Sequence, residues 1–185
     1  DLGAIITRDG RHILPRRLLR SGELYHISRF DKEVLEESYN LKKVIDLRSD
    51  LERRKKPDMI MAGVEYYHIP MIDEETVADM PESTLGILQG STRLRQILEY
   101  DGDIEALIGK QYENFVKDQY SVKQCARFMD VLFHHDNGAV LWHCSLGKDR
   151  VGVMTALLLC VLGVHRDEIR EDFMRSNICL AGELD

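Results

Sequence analysis

The chain has 185 residues, of which 44% are hydrophobic and 31% are charged, and its formal net charge is −7. This length is typical of one α/β domain, and the composition is that of an ordinary globular protein. The negative charge argues against general nucleic-acid binding, which needs a basic face. We therefore expect a single domain over residues 1–185 that has no nucleic-acid partner.

The N-terminal half shows regular turn residues, capping boxes and apolar runs that predict its elements in order. Ser28 with Asp31 and Ser49 with Glu52 form two capping boxes, each of which opens a helix. The predicted elements are a hairpin (4–7 and 11–14), an extended segment (18–22), a helix (28–39), a buried strand (43–47), a basic helix (49–57) and another strand (64–69).

Residues 70–120 are predicted to form a helical insertion or lid that could cover an active site, with a clear helix over 104–119. Two scaffold helices with a long connection are the alternative that the pattern leaves open. A third capping box, Ser121 with Gln124, predicts a helix that buries one apolar face, consisting of Val122, Cys125, Phe128, Met129, Leu132 and Phe133.

The C-terminal part predicts a short apolar strand (139–143), a loop, a helix (151–162) and a last helix (167–177). Strands that alternate with helices indicate an α/β fold with a central, mostly parallel sheet flanked by helices. The longest apolar stretch, 151–164, is too short to span a bilayer, and no signal peptide or lipidation motif is visible.

The four cysteines are Cys125, Cys144, Cys160 and Cys179, and no two of them form a Cys-x-x-Cys pair. The spacing therefore does not favour a zinc site or a thioredoxin-like site. Cys125 and Cys160 lie among apolar residues at helical spacing, which predicts a place in the core. A reactive thiolate persists in reducing surroundings, which favours the cytoplasm, although an exported enzyme that acts inside another cell meets the same condition.

The segment from Cys144 to Arg150 joins a predicted strand to a predicted helix and consists of a cysteine, five residues and an arginine. A loop in this position can wrap around a phosphate with successive backbone N–H groups pointing inward. The following helix directs its positive end to the same place, and Gly147 permits the tight turn that the loop needs. The candidate substrate-binding residues of the loop are Ser145, Leu146, Gly147 and Lys148.

These residue types predict a thiolate nucleophile and a phosphate clamp. The amides, the helix end and nearby cations would stabilise a Cys144 thiolate, which can attack phosphorus and form a thiophosphate intermediate. The planar fork of Arg150 matches two phosphate oxygens. The leaving oxygen needs a proton from a carboxylic acid, and the candidates are Asp149, Asp46 and Asp73.

Two neighbours of the nucleophile have predicted supporting roles. Lys148 adds positive charge at the pocket, which would favour substrates that carry more than one phosphate. His143 is expected to hydrogen-bond the loop and not to donate the proton. The plain alternative is a buried cysteine beside a surface Lys-Asp-Arg run.

The sequence His-Cys-x-x-Gly-Lys-Asp-Arg at 143–150 resembles the signature of the bacterial atypical protein-tyrosine phosphatases. This group lies within the Cys-x5-Arg superfamily and includes dual-specificity and phosphoinositide phosphatases. The segments 18–24, 44–49 with Glu52, and 57–58 resemble landmarks of that family in the same order. The resemblance covers most of the chain and is weakest over 70–120, where members vary and often form a helical lid.

The resemblance implies a role for each matching position. Cys144 would be the nucleophile, Arg150 the phosphate clamp and Asp149 the general acid. Asp46 and Arg48 would lie near the pocket and bind substrate, and Lys148 resembles a lysine associated with phosphoinositide activity. The implied reaction is metal-free hydrolysis of phosphotyrosine, with phosphoserine, phosphothreonine and phosphoinositides as further candidate substrates, and phosphate or sulfate is expected to bind in the loop.

The chain departs from the family pattern at two positions. Val151 stands where the family usually has Thr or Ser, whose hydroxyl assists the thiolate as it leaves, so slower breakdown of the intermediate is expected. This departure motivates a second hypothesis, a phosphate-binding pseudophosphatase. A sulfur transferase, which also has a cysteine in a cradle loop, is a third hypothesis that the Asp149–Arg150 pair disfavours. Ala4 stands where a glycine is usual and predicts a negative φ.

Overall fold

A four-stranded parallel sheet forms the centre of the protein. The computed structural model describes residues 1–77, 84, 101–135 and 137–180. All three strand pairings are parallel, in the order β1-β4-β2-β3. The strands are β1 (Leu18–Ser21), β2 (Leu41–Asp46), β3 (Glu65–His68) and β4 (Ala139–His143). This topology confirms the predicted α/β fold with a central parallel sheet.

Helices of different lengths flank the sheet. The helix α1 continues directly into a π-helical segment (Val34–Ser38). Within the described residues, the helices are α1 (Arg29–Glu33), α2 (Asp50–Lys55), α3 (Glu74–Val77), α4 (Ile104–Lys117), α5 (Gln119–Phe133), α6 (Asp149–Val161) and α7 (Arg166–Cys179). The capping boxes of Ser28 and Ser49 are both formed, which confirms the predicted starts of α1 and α2. None of the helices that the structure describes has both the length and the apolar character needed to cross a bilayer.

The helices α3 and α4 lie within the predicted insertion at 70–120. Residues 78–83 and 85–100 of that insertion lie outside the described residues. Its role as a lid therefore stays a prediction, and so does the assignment of the whole chain to one domain.

The core fixes α6 against the central strand β4, all five residues of which are buried. Trp142 donates a hydrogen bond from Nε1 to Thr155 Oγ1 at 3.0 Å and packs edge-on against the Phe128 ring of α5. Val151 and Met154 of α6 are fully buried in the same cluster. Because the strand before the loop and the helix after it are both anchored, the loop between them is held at both ends.

The residues predicted to form the buried face of α5 are wrong at both ends of the helix. The helix begins at Gln119, and the Asp118 carboxylate caps it by accepting from the Ser121 amide, so Ser121 lies inside the first turn. Phe128 is fully buried, as predicted, but Val122 is 47% exposed and Phe133 is 61% exposed. The earlier start allows the polar side chains of Ser121 and Gln124 to share the buried face with Phe128.

Cys160 and Ala4 also differ from expectation. Cys160 is exposed because the buried face of α6 passes through Val151 and Thr155, and Cys160 lies on the other face. Ala4 has φ of +73°, not a negative value. Its amide donates to the Ile13 carbonyl at 3.0 Å, which fixes the turn, and the left-handed conformation costs about 1–2 kcal/mol for a residue with a Cβ. The two predicted hairpin strands pair through an isolated antiparallel bridge between residues 6 and 12 and do not form named strands of the described structure.

Candidate active site

The carboxyl ends of neighbouring parallel strands bring the candidate residues together. His143, the last residue of β4, is in register with Ser21 at the end of β1 and with Asp46 at the end of β2. Parallel strands end at the same edge of a sheet, which is where α/β proteins place their sites. The segments that follow β1, β2 and β4 therefore meet around residues 144–150.

The loop after β4 leaves its amide groups available. Cys144 is 3% exposed and Arg150 is 2% exposed, whereas Leu146 between them is exposed. Lys148 precedes α6, and no side chain caps that helix. Among the residues that the structure describes, no backbone carbonyl accepts from the amide N–H groups of 145–148. These donors and the start of α6 can bind an anion placed against Cys144.

Gly147 gives the loop its close contact with the chain after β1. Its φ is +69°, and a Cβ at this position would lie 2.6 Å from the Ser21 carbonyl carbon and 2.7 Å from the Gly22 nitrogen. No side chain larger than hydrogen fits there without displacing backbone. The structure thus gives a steric reason for the predicted need for glycine at position 147.

The loop carbonyls are bound on the outer side of the loop. The Glu23 amide donates to the Ser145 carbonyl at 3.1 Å. Arg20 donates from Nη2 to the Gly147 carbonyl at 3.1 Å, and its Nη1 lies 2.6 Å from Asp172 on α7. With the carbonyls held outward, the neighbouring amides can face the other way. Arg20 was not among the residues predicted from sequence, because a lone arginine at a strand end carries no motif.

Glu52 orients the arginine at the end of the loop. Its carboxylate accepts from Arg150 Nη1 at 2.7 Å and from Arg150 Nη2 at 2.8 Å, and it also accepts from the Ser145 hydroxyl. The same carboxylate accepts from the Ser49 amide and closes the capping box of α2. One side chain therefore ties α2 to both ends of the loop.

Glu52 and Arg150 each stabilise the charged form of the other. Burial alone would raise the pKa of Glu52, but the hydrogen bond and charge of Arg150, with the bonds from Ser145 and Ser49, hold that pKa below its usual value. Burial alone would lower the pKa of Arg150, but the negative charges of Cys144 and Glu52 raise it. Arg150 therefore stays positive beside a Cys144 thiolate. The sequence identified Glu52 only as a helix cap and a family landmark, and missed its contact with the loop.

A second buried network lies behind the loop and contains His143, Asp58, Arg48 and Asp46. His143 Nε2 lies 2.9 Å from Asp58 Oδ2. Arg48 donates to Asp46 Oδ1 at 3.0 Å, to Asp46 Oδ2 at 2.9 Å and to Asp58 Oδ1 at 2.7 Å. Burial alone would raise the pKa of Asp58, but the hydrogen bond and charge of His143, followed by the charge of Arg48, lower it. This network holds the residue next to the nucleophile.

The predicted substrate contacts of Asp46 and Arg48 stay predictions. Both side chains are buried, and their bonds point toward Asp58 and His143. Donor atoms of Asp46, Asp58 and His143 lie within 4.8 Å of one another, close enough to hold a metal ion. Both carboxylates already bind the Arg48 guanidinium, however, so a cation would have to share them with a fixed positive charge.

Of the three candidate acids, Asp149 alone is part of the loop. It is half-buried at the first position of α6 and accepts a hydrogen bond from the Tyr112 hydroxyl of α4. Asp46 is bound to Arg48, and Asp73 accepts from the Glu75 amide at 3.2 Å beside α3. The assignment of Asp149 as the general acid therefore stays a prediction, which its place in the loop supports. The sequence pattern placed Tyr112 only within the predicted helix over 104–119 and gave it no role in the site.

The fold and the loop define a Cys-x5-Arg protein with a buried cysteine and a buried arginine. A family model described as the tyrosine phosphatase family matches residues 1–185, and the chain belongs to that family. The match confirms the resemblance that the signature at 143–150 indicated.

Curated relatives carry phosphatase names. The chain is 29% identical over 184 residues to a provisionally named tyrosine-protein phosphatase of Cupriavidus necator, covering 96% of this chain and 59% of the relative. It is 28% identical to the triple specificity protein phosphatase PtpB of Mycobacterium tuberculosis, covering 88% of this chain and 62% of that one. A tyrosine-protein phosphatase of Nostoc commune is 25% identical, with coverage of 89% and 50%. The chain thus spans about half to three fifths of the length of these relatives.

Among solved structures, TpbA of Pseudomonas aeruginosa is similar at 18% identity, with 88% of this chain and 71% of that chain covered and a TM-score of 0.39. A second TpbA structure, in complex with phosphotyrosine, has the same TM-score at 17% identity and covers 88% of this chain and 70% of that one.

Proposed function

We propose that this protein is a cysteine-dependent phosphatase that hydrolyses phosphomonoesters, with phosphotyrosine as the first candidate substrate. The observation that carries the proposal is the pairing of a buried Cys144 with a buried, Glu52-bound Arg150 across a loop whose amides are available. Family membership supports the same reaction class. A guanidinium that is charged and held in place by Glu52 supports the proposal, because electrostatic catalysis requires donors that are oriented before the reaction.

In the first step, the Cys144 thiolate attacks phosphorus, the S–P bond forms and the bond from phosphorus to the leaving oxygen breaks. Arg150 and the loop amides stabilise the equatorial oxygens as negative charge develops on them. Asp149 transfers its proton to the leaving oxygen, which departs as an alcohol or phenol.

In the second step, water attacks the thiophosphate, the Asp149 carboxylate accepts a proton from that water, and the S–P bond breaks to release phosphate and the Cys144 thiolate. The family usually places a hydroxyl at 151 to assist this release. Val151 is fully buried in the core, and its side chain has no hydrogen-bond donor. Breakdown of the intermediate is therefore expected to be slower than its formation.

This expectation can be measured by rapid-quench kinetics. The parent should release one burst of p-nitrophenol per enzyme before the slower steady state, and Val151→Thr should reduce the burst by raising the steady-state rate. Equal single-turnover and steady-state rates in the parent would contradict this role for position 151.

The substrate range has two sources of support. Lys148 is half-buried in the loop and would favour substrates with a second phosphate, such as phosphoinositides. The Mycobacterium tuberculosis relative has a name that states triple specificity. We propose phosphoserine, phosphothreonine and phosphoinositides as further substrates, and we expect inorganic phosphate or sulfate to compete for the loop.

The proposed function is tested by turnover of p-nitrophenyl phosphate and of phosphotyrosine peptides in the presence of a chelator. The parent should hydrolyse both, Cys144→Ser should abolish hydrolysis, and Cys160→Ser, which changes an exposed cysteine near the opposite end of α6 from the loop, should leave it unchanged. A Cys144→Ser variant that retains the parent's activity would overturn the mechanism.

A second candidate function rests on Val151 alone. If the parent binds phosphate in the loop but turns over neither substrate, the protein is a phosphate-binding pseudophosphatase. Binding is measured by the increase in thermal unfolding temperature with phosphate concentration.

A further inference from the structure

The hydroxyl of Tyr112 connects the predicted insertion to the proposed general acid. Tyr112 lies on α4, which belongs to the insertion, and its hydroxyl donates to Asp149 Oδ1 on the first turn of α6. These residues are 37 positions apart in sequence. The contact therefore couples a segment outside the signature to an acid inside it.

Aromatic packing fixes the position of that phenol ring. Tyr112 packs edge-on against Phe115 of α4 and against Phe173 of α7, each with ring centroids 6.1 Å apart. Phe173 in turn covers Gly152, where a Cβ would lie 2.5 Å from the ring atom Cε2. The ring of Tyr112 is thus held beside the first turn of α6 by one ring from its own helix and one from α7, which keeps its hydroxyl close to Asp149.

The surroundings also keep the phenol protonated. Burial, the hydrogen bond to Asp149, and the negative charges of Asp149 and Cys144 all raise the pKa of Tyr112. A protonated phenol donates its only proton to the Asp149 oxygen that it faces. That leaves the second carboxyl oxygen of Asp149 to exchange a proton with a substrate.

We propose that Tyr112 is a positioning residue that orients the Asp149 carboxyl group toward the leaving oxygen of the substrate. This inference rests on the proposed function and extends it: Tyr112 acts through Asp149 on the transfer of the proton, and not on the attack by Cys144. Its effect should therefore depend on how strongly the leaving oxygen needs a proton.

Substrates with different leaving groups distinguish a residue that positions the acid from a residue that only supports the fold. The p-nitrophenolate ion is stable and departs with little help from an acid, whereas the oxygen of an unsubstituted phenyl phosphate or of a phosphotyrosine peptide needs the proton. A residue that merely holds the fold together would lower the rates on both kinds of substrate alike. A residue that positions the acid lowers the rate mainly on the second kind.

The experiment measures kcat/KM of Tyr112→Phe on p-nitrophenyl phosphate and on phenyl phosphate. Phe keeps the ring and its packing and removes only the hydroxyl. Because the Asp149 carboxyl group loses the hydrogen bond that orients it, we expect a loss of roughly tenfold or more on phenyl phosphate, with a much smaller loss on p-nitrophenyl phosphate. The matched control is Tyr66→Phe, which removes a phenol that bonds Met59 and Met61, away from Asp149 in the described structure, and should lower neither rate selectively.

A double-mutant cycle completes the test. If Tyr112 acts through Asp149, Tyr112→Phe should have little further effect in an Asp149→Asn background. Equal losses on both substrates, or full additivity with Asp149→Asn, would overturn the inference while leaving the phosphatase proposal intact. Absence of any turnover by the parent would instead overturn the phosphatase proposal, and with it the basis of this inference.

Discussion

At the scale of single residues, Glu52 has more bonds to the loop than its place in the sequence suggests. It binds Arg150 through two hydrogen bonds, accepts from Ser145 and caps α2. Breaking a buried ion pair by removal of one partner leaves the other charge uncompensated, which is strongly destabilising. The site and the stability of the fold therefore depend on the same carboxylate.

Glu52→Gln tests this dependence. The amide cannot neutralise Arg150, so the free energy of unfolding should fall by about 3 kcal/mol, and kcat/KM on p-nitrophenyl phosphate should fall at least tenfold as the guanidinium loses its orientation. The control is Glu33→Gln, which removes an exposed pair with Arg29 and should change stability by less than about 0.5 kcal/mol. Urea unfolding gives the first value and initial rates give the second. Unchanged stability and unchanged rate in Glu52→Gln would contradict the assignment.

The same carboxylate predicts how stability depends on pH. The pKa of Glu52 is lower in the folded protein than its ordinary value of 4.5, so its contribution is present above that value and is lost as the pH falls through the folded pKa. Asp58 has a lowered pKa and acts in the same direction.

Urea unfolding between neutral and acidic pH should show a free energy of unfolding that decreases below about pH 4.5. The decrease should be smaller in Glu52→Gln, which has no proton to bind at this position, and unchanged in Glu33→Gln. A parent whose stability rises on acidification would contradict the lowered pKa values.

At the scale of secondary-structure elements, the packing of α7 on α6 sets the position of the loop. Gly152 lies in the first turns of α6 directly under the Phe173 ring of α7. The same ring packs against Tyr112 of α4. A methyl group at 152 would therefore push on all three helices at the point where they approach the loop.

Gly152→Ala should lower the free energy of unfolding by about 1–3 kcal/mol, as overpacked cores do, and should reduce turnover of phenyl phosphate. The double variant Gly152→Ala with Phe173→Leu should recover part of the stability, because a smaller side chain makes room for the methyl group. Thermal or urea unfolding measures both. Additive losses in the double variant would show that the close approach does not cause the effect.

Local signals in the sequence predicted those elements that local chemistry determines. The capping boxes at Ser28 and Ser49 predicted the starts of α1 and α2, and the apolar run at 139–143 predicted β4. The third capping box failed because Asp118 caps α5 three residues ahead of Ser121. A capping pattern indicates that a helix begins nearby. Which of several neighbouring residues caps the helix also depends on tertiary packing.

At the scale of the whole molecule, parallel strand ends bring distant residues together. The signature at 143–150 is contiguous, so sequence alone identified Cys144, Asp149 and Arg150 as candidates. Glu52 contacts Arg150 from 98 residues away in sequence, and Tyr112 contacts Asp149 from 37 residues away. A contact of that range depends on the strand order and on helix packing, and no pattern within a single segment encodes it.

Mass spectrometry of the acid-quenched enzyme during turnover of p-nitrophenyl phosphate would detect the thiophosphate on Cys144 itself. The peptide containing Cys144 should gain the mass of one phosphoryl group, and this gain should be absent in Cys144→Ser. Continued turnover by the parent with the phosphoryl group on another residue, or with none on Cys144 at any quench time, would contradict the role of Cys144 as the nucleophile.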